Sequence, residues 1–392
     1  LAWVTELAEA AEPHLRRVEQ VAWLALLEAE HDNIAAAMRA AIAAGEAHEA
    51  MRLAAAVGWC WMLGGHRAEG MELTTAAAAL PGEVPDDVRA TACAYAAYFV
   101  TAGQAGPRQA ERWISEADAL SRRVSRRHPA LGFVAPLARM LRAPTDFLTA
   151  FDPLLDDDDP WTRANARLTR GRMRIMLGRD EADADVDITT ALGEFRALGE
   201  RWGIAFALTA LAERLAMRGE FARAAGLYED AAAAVRDVGA IEDVVHIRAQ
   251  QAQVHWLAGD EEASAAALAE AQRCADRIVW PDALVELAVV KADLARWRGD
   301  LTRARQHVAD ARAVLGAGSE VEVYVGWVTH DLLGYLADDL AEARGHRRAA
   351  LQTVAALEDG ALLARVLVGV ADLALRQDQP EQAARLLAAS VA

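Results

Sequence analysis

Asp183, Asp185, Asp187 and Glu194 stand at the offsets where a calcium-binding EF-hand loop places its carboxylates. Such a loop also needs a glycine for its sharp turn, and Ile188 occupies that place. On a helix Asp183 and Asp187 share a face while Asp185 points away. The run from Asp180 to Asp187 therefore reads as an acidic first helical turn after Gly178, where negative charge suits the helix dipole. A nucleotide loop needs glycines that free backbone N–H groups and a lysine at the phosphates. The single lysine, Lys291, follows Val289 and Val290 in mid-helix, so no ATP-binding loop is present. Arg122, Arg123, Arg126 and Arg127 form a basic knot at a helix C-terminus, where cations are stabilising in their own right. His246 and His255 lie nine residues apart, which matches no metal spacing, and no cysteine pair helps them. No Ser-His-Asp order sits in a strand–turn–helix context. No catalytic constellation and no metal set emerges, and the chain is expected not to be an enzyme.

The elements that carry these residues repeat. Gly219, Gly259 and Gly299 recur 40 residues apart, each followed by an acid: Glu220, Asp260, Asp300. Seven residues before each lies Ala212, Ala252 or Ala292; five after lies Ala224, Ser264 or Ala304; nine after lies Tyr228, Leu268 or Val308. Small residues at fixed offsets around a glycine turn let two helices cross closely, and a period of this length marks a helical solenoid. One repeat cannot bury its apolar face alone, so neighbours stack into a continuous core.

Composition agrees. Hydrophobic residues make up 54% of the 392, mostly alanine and leucine, with only 11 prolines, which predicts an almost entirely helical chain. The net charge of −17 repels phosphate, so direct nucleic-acid binding is not expected. Cys60, Cys93 and Cys274 are odd in number and form no C-x-x-C, as free thiols in a reducing cytosol do. No apolar run reaches membrane-spanning length and no signal peptide is visible. Leu1 already lies in a helical pattern without an initiator methionine, which reads as a fragment of a longer cytoplasmic protein.

The spacing predicts helices over residues 1–12, 16–30 and 34–44, with Asp32 or Asn33 as N-cap of the third and Gly45 ending it. Trp59, Trp61 and Gly58, seven before Gly65, mark a degenerate repeat. Helix pairs follow over 88–101 and 109–127, then over 130–141 and 145–155. That last pair is the least regular, bounded by Pro129, Pro144 and Pro153. Asp156 to Asp159 and Pro160 open the next helix. Asp338 and Asp378 replace turn glycines in the last two copies.

Several stretches carry a resemblance. They are Trp23-Leu24 through Leu27-Glu28-Ala29-Glu30-His31-Asp32-Asn33 to Ala36-Ala37, Trp59-Cys60-Trp61-Met62-Leu63-Gly64-Gly65-His66 with Glu69-Gly70, Leu198-Gly199-Glu200-Arg201-Trp202-Gly203-Ile204-Ala205, and Pro380 to Leu387. With the 40-residue spacing they look like long tetratricopeptide repeats. In this order they resemble the C-terminal repeat region of AfsR-type regulators of the SARP family and of related large LuxR-type activators. The resemblance implies an all-α, right-handed tetratricopeptide superhelix of about ten helix pairs. Residues 1–44 would be the junction after an absent NTPase and winged-helix module, 45–190 irregular repeats and 191–392 regular ones. It implies that ATP or ADP belongs only to that upstream module. The upstream NTPase and DNA-binding domains are the implied partners, and a homo-oligomer is compatible with the family.

In paired-helix repeats the first helix of each pair lines the concave surface. Helical geometry then turns inward Phe206, Glu213, Ala216 and Met217 in one repeat, His246, Gln253, Trp256 and Leu257 in the next, and Glu286, Asp293, Arg296 and Trp297 in the third. The Gly65 repeat adds Trp59 and Met62. Tryptophans beside acids, a histidine and an arginine suit an aromatic, cationic or peptide ligand. The opposing reading packs the tryptophans between helices; Trp61 and Trp202 are assigned to packing. The resulting expectation is a sensor or partner-binding region of a transcriptional regulator of secondary-metabolite genes, with an effector, peptide or protein in the groove. The rival is a constitutive protein–protein scaffold without an effector.

Overall fold

The computed structural model describes residues 1–102, 107–124, 128–143, 148–178, 181–315, 320–357 and 360–390. Arg126, Arg127, Pro144 and Asp180 lie outside the described residues.

Among the described residues every element is helical. Three N-terminal helices, α1 (Ala2–Ala11), α2 (Gln20–Ala29) and α3 (His31–Ala44), precede the pairs α4 (Ala47–Leu63) with α5 (Arg67–Ala78) and α6 (Asp86–Ala102) with α7 (Pro107–Ser121). An irregular unit follows, α8 (Val134–Arg142) between 3-10 segments Pro129–Phe133 and Leu148–Leu154. Then come six pairs: α9 (Pro160–Met176) and α10 (Glu181–Leu198), α11 (Arg201–Met217) and α12 (Phe221–Asp237), α13 (Ile241–Leu257) and α14 (Glu261–Ala275), α15 (Pro281–Trp297) and α16 (Leu301–Leu315), α17 (Glu320–Leu336) and α18 (Leu340–Leu357), α19 (Gly360–Arg376) and α20 (Pro380–Ser390). Partners within a pair pack on each other, and second helices pack on the first helix of the next pair. This is a tetratricopeptide-like array of stacked helix pairs.

The spacing signals have physical counterparts. Gly219, Gly259 and Gly299 have φ of 78°, 83° and 80°, a left-handed turn that glycine adopts without strain. Ala212, Ala252, Ala292, Ala224, Ser264 and Ala304 are fully buried where the two helices cross. The Ser264 hydroxyl donates to the Ala252 carbonyl at 2.8 Å, tying α14 to α13. Asp378 keeps the left-handed turn at φ 58°, which the aspartate side chain tolerates better than most. At the Asp338 turn, Asp339 instead accepts from the Ala341 and Glu342 amides and starts α18.

Four local expectations are corrected. Pro13 stops α1 and sits inside a 3-10 segment, Glu12–Arg16, so α2 begins only at Gln20. The helix expected from Ile34 starts at His31 with Glu30 at its N-cap, and neither Asp32 nor Asn33 caps it. The second helix of the irregular pair is a 3-10 segment with Pro153 inside it, since proline removes a backbone donor. Two acids of α10 are bound in ion pairs: Asp187 with Arg170 and Arg174 of α9, and Asp185 with Arg214 of α11 and Arg218 at its C-cap.

Residues of the segment between α1 and α2 and of the first turn of α2, and Arg67 of α5, reach the N-terminal ends of three repeat helices. Arg17 meets Asp159 at 2.5 Å, Gln20 donates to Glu200 at 2.5 Å and accepts from the Arg201 amide at 2.9 Å, and Arg67 meets Asp243 at 2.6 Å. At the other end, α19 comes back to pack against α9.

Candidate ligand-binding site

A cavity of about 450 Å³ opens between α4, α6, α8, α9 and the start of α11. Its position follows from the irregular unit. Where a regular pair would fill the space with two full helices, the described residues between 129 and 154 supply one nine-residue helix and two 3-10 segments. Pro136, Leu137 and Met140 of α8 and Phe133 and Phe151 of the turns form one wall. Asn165, Thr169, Met173 and Met176 form another, three or four residues apart on one face of α9. Trp59 and Met62 project from α4, Tyr95, Tyr98 and Thr101 from α6, and Trp202 from the first turn of α11.

Aromatic rings set the shape. Trp59 meets Trp161 edge-on at 5.2 Å and Trp202 at 5.1 Å, and Phe133 meets Trp161 at 6.1 Å. These T-shaped arrangements match the ring quadrupole. Gly58 makes this possible: a Cβ there would lie 2.4 Å from the Tyr95 ring, so only glycine lets α6 approach α4 this closely.

One charge reaches the cavity. Arg16, 2% exposed, places its guanidinium 5.2 Å from the Trp161 ring centre and 5.8 Å from that of Trp59. It donates to Glu12 at 2.6 Å and to the Tyr95 hydroxyl at 2.9 Å, and His128 closes on Glu12 at 2.6 Å. Burial pushes the Glu12 carboxyl up, but Arg16 and His128 outweigh it and bring it down to about 2. Burial pushes the Tyr95 hydroxyl well up, so it stays neutral and donor-competent. Three buried nitrogens on this wall, Arg16 Nε, Trp59 Nε1 and Trp161 Nε1, have no hydrogen-bond partner. Buried donors are nearly always paired, and leaving one unpaired costs about 1–3 kcal/mol. All three are sealed behind the aromatic rings, and the surface that the cavity itself exposes is almost entirely apolar.

The expected groove residues do not come together in one place. Trp59 and Met62 line the cavity. Phe206 stacks on Trp202 at 4.2 Å, just behind the wall, so Trp202 both packs and lines the cavity; Trp61, 1% exposed, is packing alone. His246 and Glu286 pair at 2.5 Å, with Gln250 donating to Glu286 at 2.6 Å. Burial alone would lower the His246 pKa, but Glu286 and Glu213 overcome it and hold it up to about 9. Asp293, buried, accepts from Arg296 at 2.9 Å and meets Arg365 of α19 at 3.5 Å. Trp256 and Trp297 are half-buried against the α13–α15 core, under Arg298 at 4.7 Å and Arg296 at 5.9 Å. Gln253 is half-buried on α13. Arg16, Tyr95, Tyr98, Phe133, Met140, Trp161, Met173 and Met176 escaped the repeat-based reading. Phe133, Met140, Trp161, Met173 and Met176 cluster in sequence in and just after the stretch that breaks the period, whereas Arg16, Tyr95 and Tyr98 carry no such signal.

No protein-family model matches the chain, and no curated protein matches it either. Among solved structures it is similar to yeast Tom70, with 13% identity and a TM-score of 0.42 over 99% of this chain and 91% of that one. The human IFIT1 dimer with PPP-AAAA has 11% identity and a TM-score of 0.35 over 86% and 88%. A circular tandem repeat protein with novel repeat topology has 14% identity and a TM-score of 0.15 over 100% and 95%. The helix pairs of the chain itself establish its repeat architecture.

Proposed function

We propose that this chain is the effector-sensing region of a multidomain bacterial transcriptional regulator, and that the effector occupies the aromatic cavity rather than a concave groove. The cavity carries the reading: about 450 Å³ lies within the range of small-molecule sites, and its wall is largely apolar and aromatic. The chemistry selects a flat, largely apolar molecule that packs against the rings of Trp59, Trp161, Trp202 and Phe133 and the methionines of α9. The region itself would be cytoplasmic, non-catalytic and free of direct nucleic-acid contact.

The placement of Arg16 supports a mechanism. Arg16 belongs to the segment between α1 and α2, whereas Trp161 and Trp202 belong to the repeats. A ligand contacting both fixes how the N-terminal helices lie on the array. The NTPase and DNA-binding modules implied by the resemblance would attach through those helices. A ligand that prefers one placement of the helices then shifts the population of the whole regulator. The rival reading is a scaffold that binds only proteins, which the tetratricopeptide-like stack of helix pairs also fits.

Native mass spectrometry of the purified chain, with extraction of any co-purifying molecule, is the direct test. The ligand found should quench tryptophan fluorescence. Thr169→Trp, which fills the cavity, should abolish binding while helicity is retained. Unchanged binding in that variant would refute the assignment.

A further inference from the structure

Two short segments face each other across the seam between α2, α3 and α5. Glu28 ends α2 and His31 begins α3; His66 caps α5 and Glu69 lies in its first turn. Their pairing is crossed. His31 Nε2 lies 2.7 Å from Glu69 Oε2, and His66 Nε2 lies 2.9 Å from Glu28 Oε2. The two imidazoles stack with centres 3.5 Å apart and planes 15° from parallel. One ligand atom from each of His31, His66 and Glu69 falls within 4.8 Å of the others. The three are half-buried and Glu28 is largely exposed, so an ion has a path in from solvent.

We propose that His31, His66 and Glu69 bind a divalent transition metal of the zinc class, with Glu28 as the carboxylate available to complete the set. Two imidazoles and a carboxylate suit zinc, whereas calcium and magnesium take oxygen ligands. Zinc bonds of about 2.0–2.2 Å place tetrahedral ligand atoms roughly 3.3 Å apart. The candidate ligand atoms lie within 4.8 Å of one another, so binding draws the three side chains closer together. Glu69 is already oriented: its Oε1 accepts from Arg39, which leaves Oε2 for the metal and supplies the outer hydrogen bond that ligating carboxylates use. Sequence inspection misses the set because 38 residues separate each histidine from its carboxylate.

The metal would join α2 and α3 to α5 beside Arg67, the residue after His66, which reaches Asp243 of α13. Binding there would stiffen the N-terminal clamp on the repeats, whatever fills the cavity.

The test uses the full chain, stripped with a chelator and titrated with Zn(II), then with Co(II) as a spectroscopic probe. One equivalent per chain, visible Co(II) absorption of tetrahedral strength, and a raised melting temperature are expected. His66→Gln and Glu69→Gln should each weaken binding by more than the ~10–100-fold that loss of an outer-shell partner costs. His48→Gln, which alters an exposed histidine elsewhere, should change nothing. Absence of stoichiometric binding, or equal loss in the His48 variant, overturns the site. Should the ligand variants misfold, imidazole NMR of the unaltered chain decides: Zn(II) shifts two histidines if the proposal holds, and none or many if it fails.

Discussion

Glu12 is the place to perturb the cavity without touching its wall. Its carboxyl drops from the ordinary 4.5 to about 2 because it sits between Arg16 and His128. A carboxylate depressed on folding adds stability that is fully present above about pH 4.5 and is lost as pH falls through about 2. At about 1.36 kcal/mol per pH unit, the shift corresponds to roughly 3 kcal/mol. Removing one partner of a buried pair gives an independent figure of about 3–5 kcal/mol, because Arg16 is left charged in the interior. Glu12→Gln should therefore cost about 3 kcal/mol at pH 7 and flatten the stability profile between pH 5 and 2. The double variant Glu12→Gln, Arg16→Met should recover much of the loss, since neutral packing often replaces a buried pair without penalty. Urea unfolding followed by tryptophan fluorescence reads this directly, because Trp59 and Trp161 lie under Arg16. Hydrogen exchange in α1 and α4 shows whether the loss is local, as arrays need not unfold in two states. A single-variant cost below about 1 kcal/mol, with an unaltered acid limb, would refute the account of Arg16 as a held charge.

Three further outcomes are expected. Gly58→Ala should destabilise by about 1–3 kcal/mol through collision with Tyr95, whereas Gly219→Ala, with open space around its Cβ, should show only the left-handed backbone penalty of about 1–2 kcal/mol; thermal melts compare them. His246, held up to about 9, contributes stability that is present below its unfolded value of about 6.5 and lost as pH rises through about 9. Asp282, pushed by burial and by Glu286 from 3.8 up to about 8, favours the folded state in its neutral form and also loses stability as pH climbs toward 8. Amide exchange in α13 and α15, corrected for intrinsic rates, should quicken from pH 7 to 9.5, and less so in His246→Gln. Trp297→Ala should lower the melting temperature and leave cavity binding unchanged, since the ring packs on the α13–α15 core; a loss of ligand affinity at constant stability would reverse that view.

The repeats were legible because their determinants are local. A left-handed glycine, a small residue seven before it and another five after it lie within a dozen positions. The boundaries of α11, α13 and α15 follow from them. Asp378 was legible for the same reason. The cavity was not, because its parts are far apart in sequence: Arg16 meets Tyr95 across 79 residues and Gln20 meets Glu200 across 180. The repeat logic also chose tryptophans by phase alone. It turned inward both Trp59 and Met62, which line the cavity, and Trp256 and Trp297, which are half-buried against the α13–α15 core, and phase alone does not separate the two settings. The disruption at 129–154 was visible as proline placement. That the disruption leaves a chamber depends on which side chains surround it.

The contact between α19 and α9 changes what counts as a neutral change of length. Five 40-residue steps separate the two helices. In an open stack, a whole unit can be gained or lost at little cost, since each touches only its neighbours. Here the count is fixed by closure: one unit fewer or more would carry α19 past α9, and the Arg365–Asp293 bridge with it. The last repeats thus behave as the clasp of a bracelet, and selection on their number should be stricter than on their sequence.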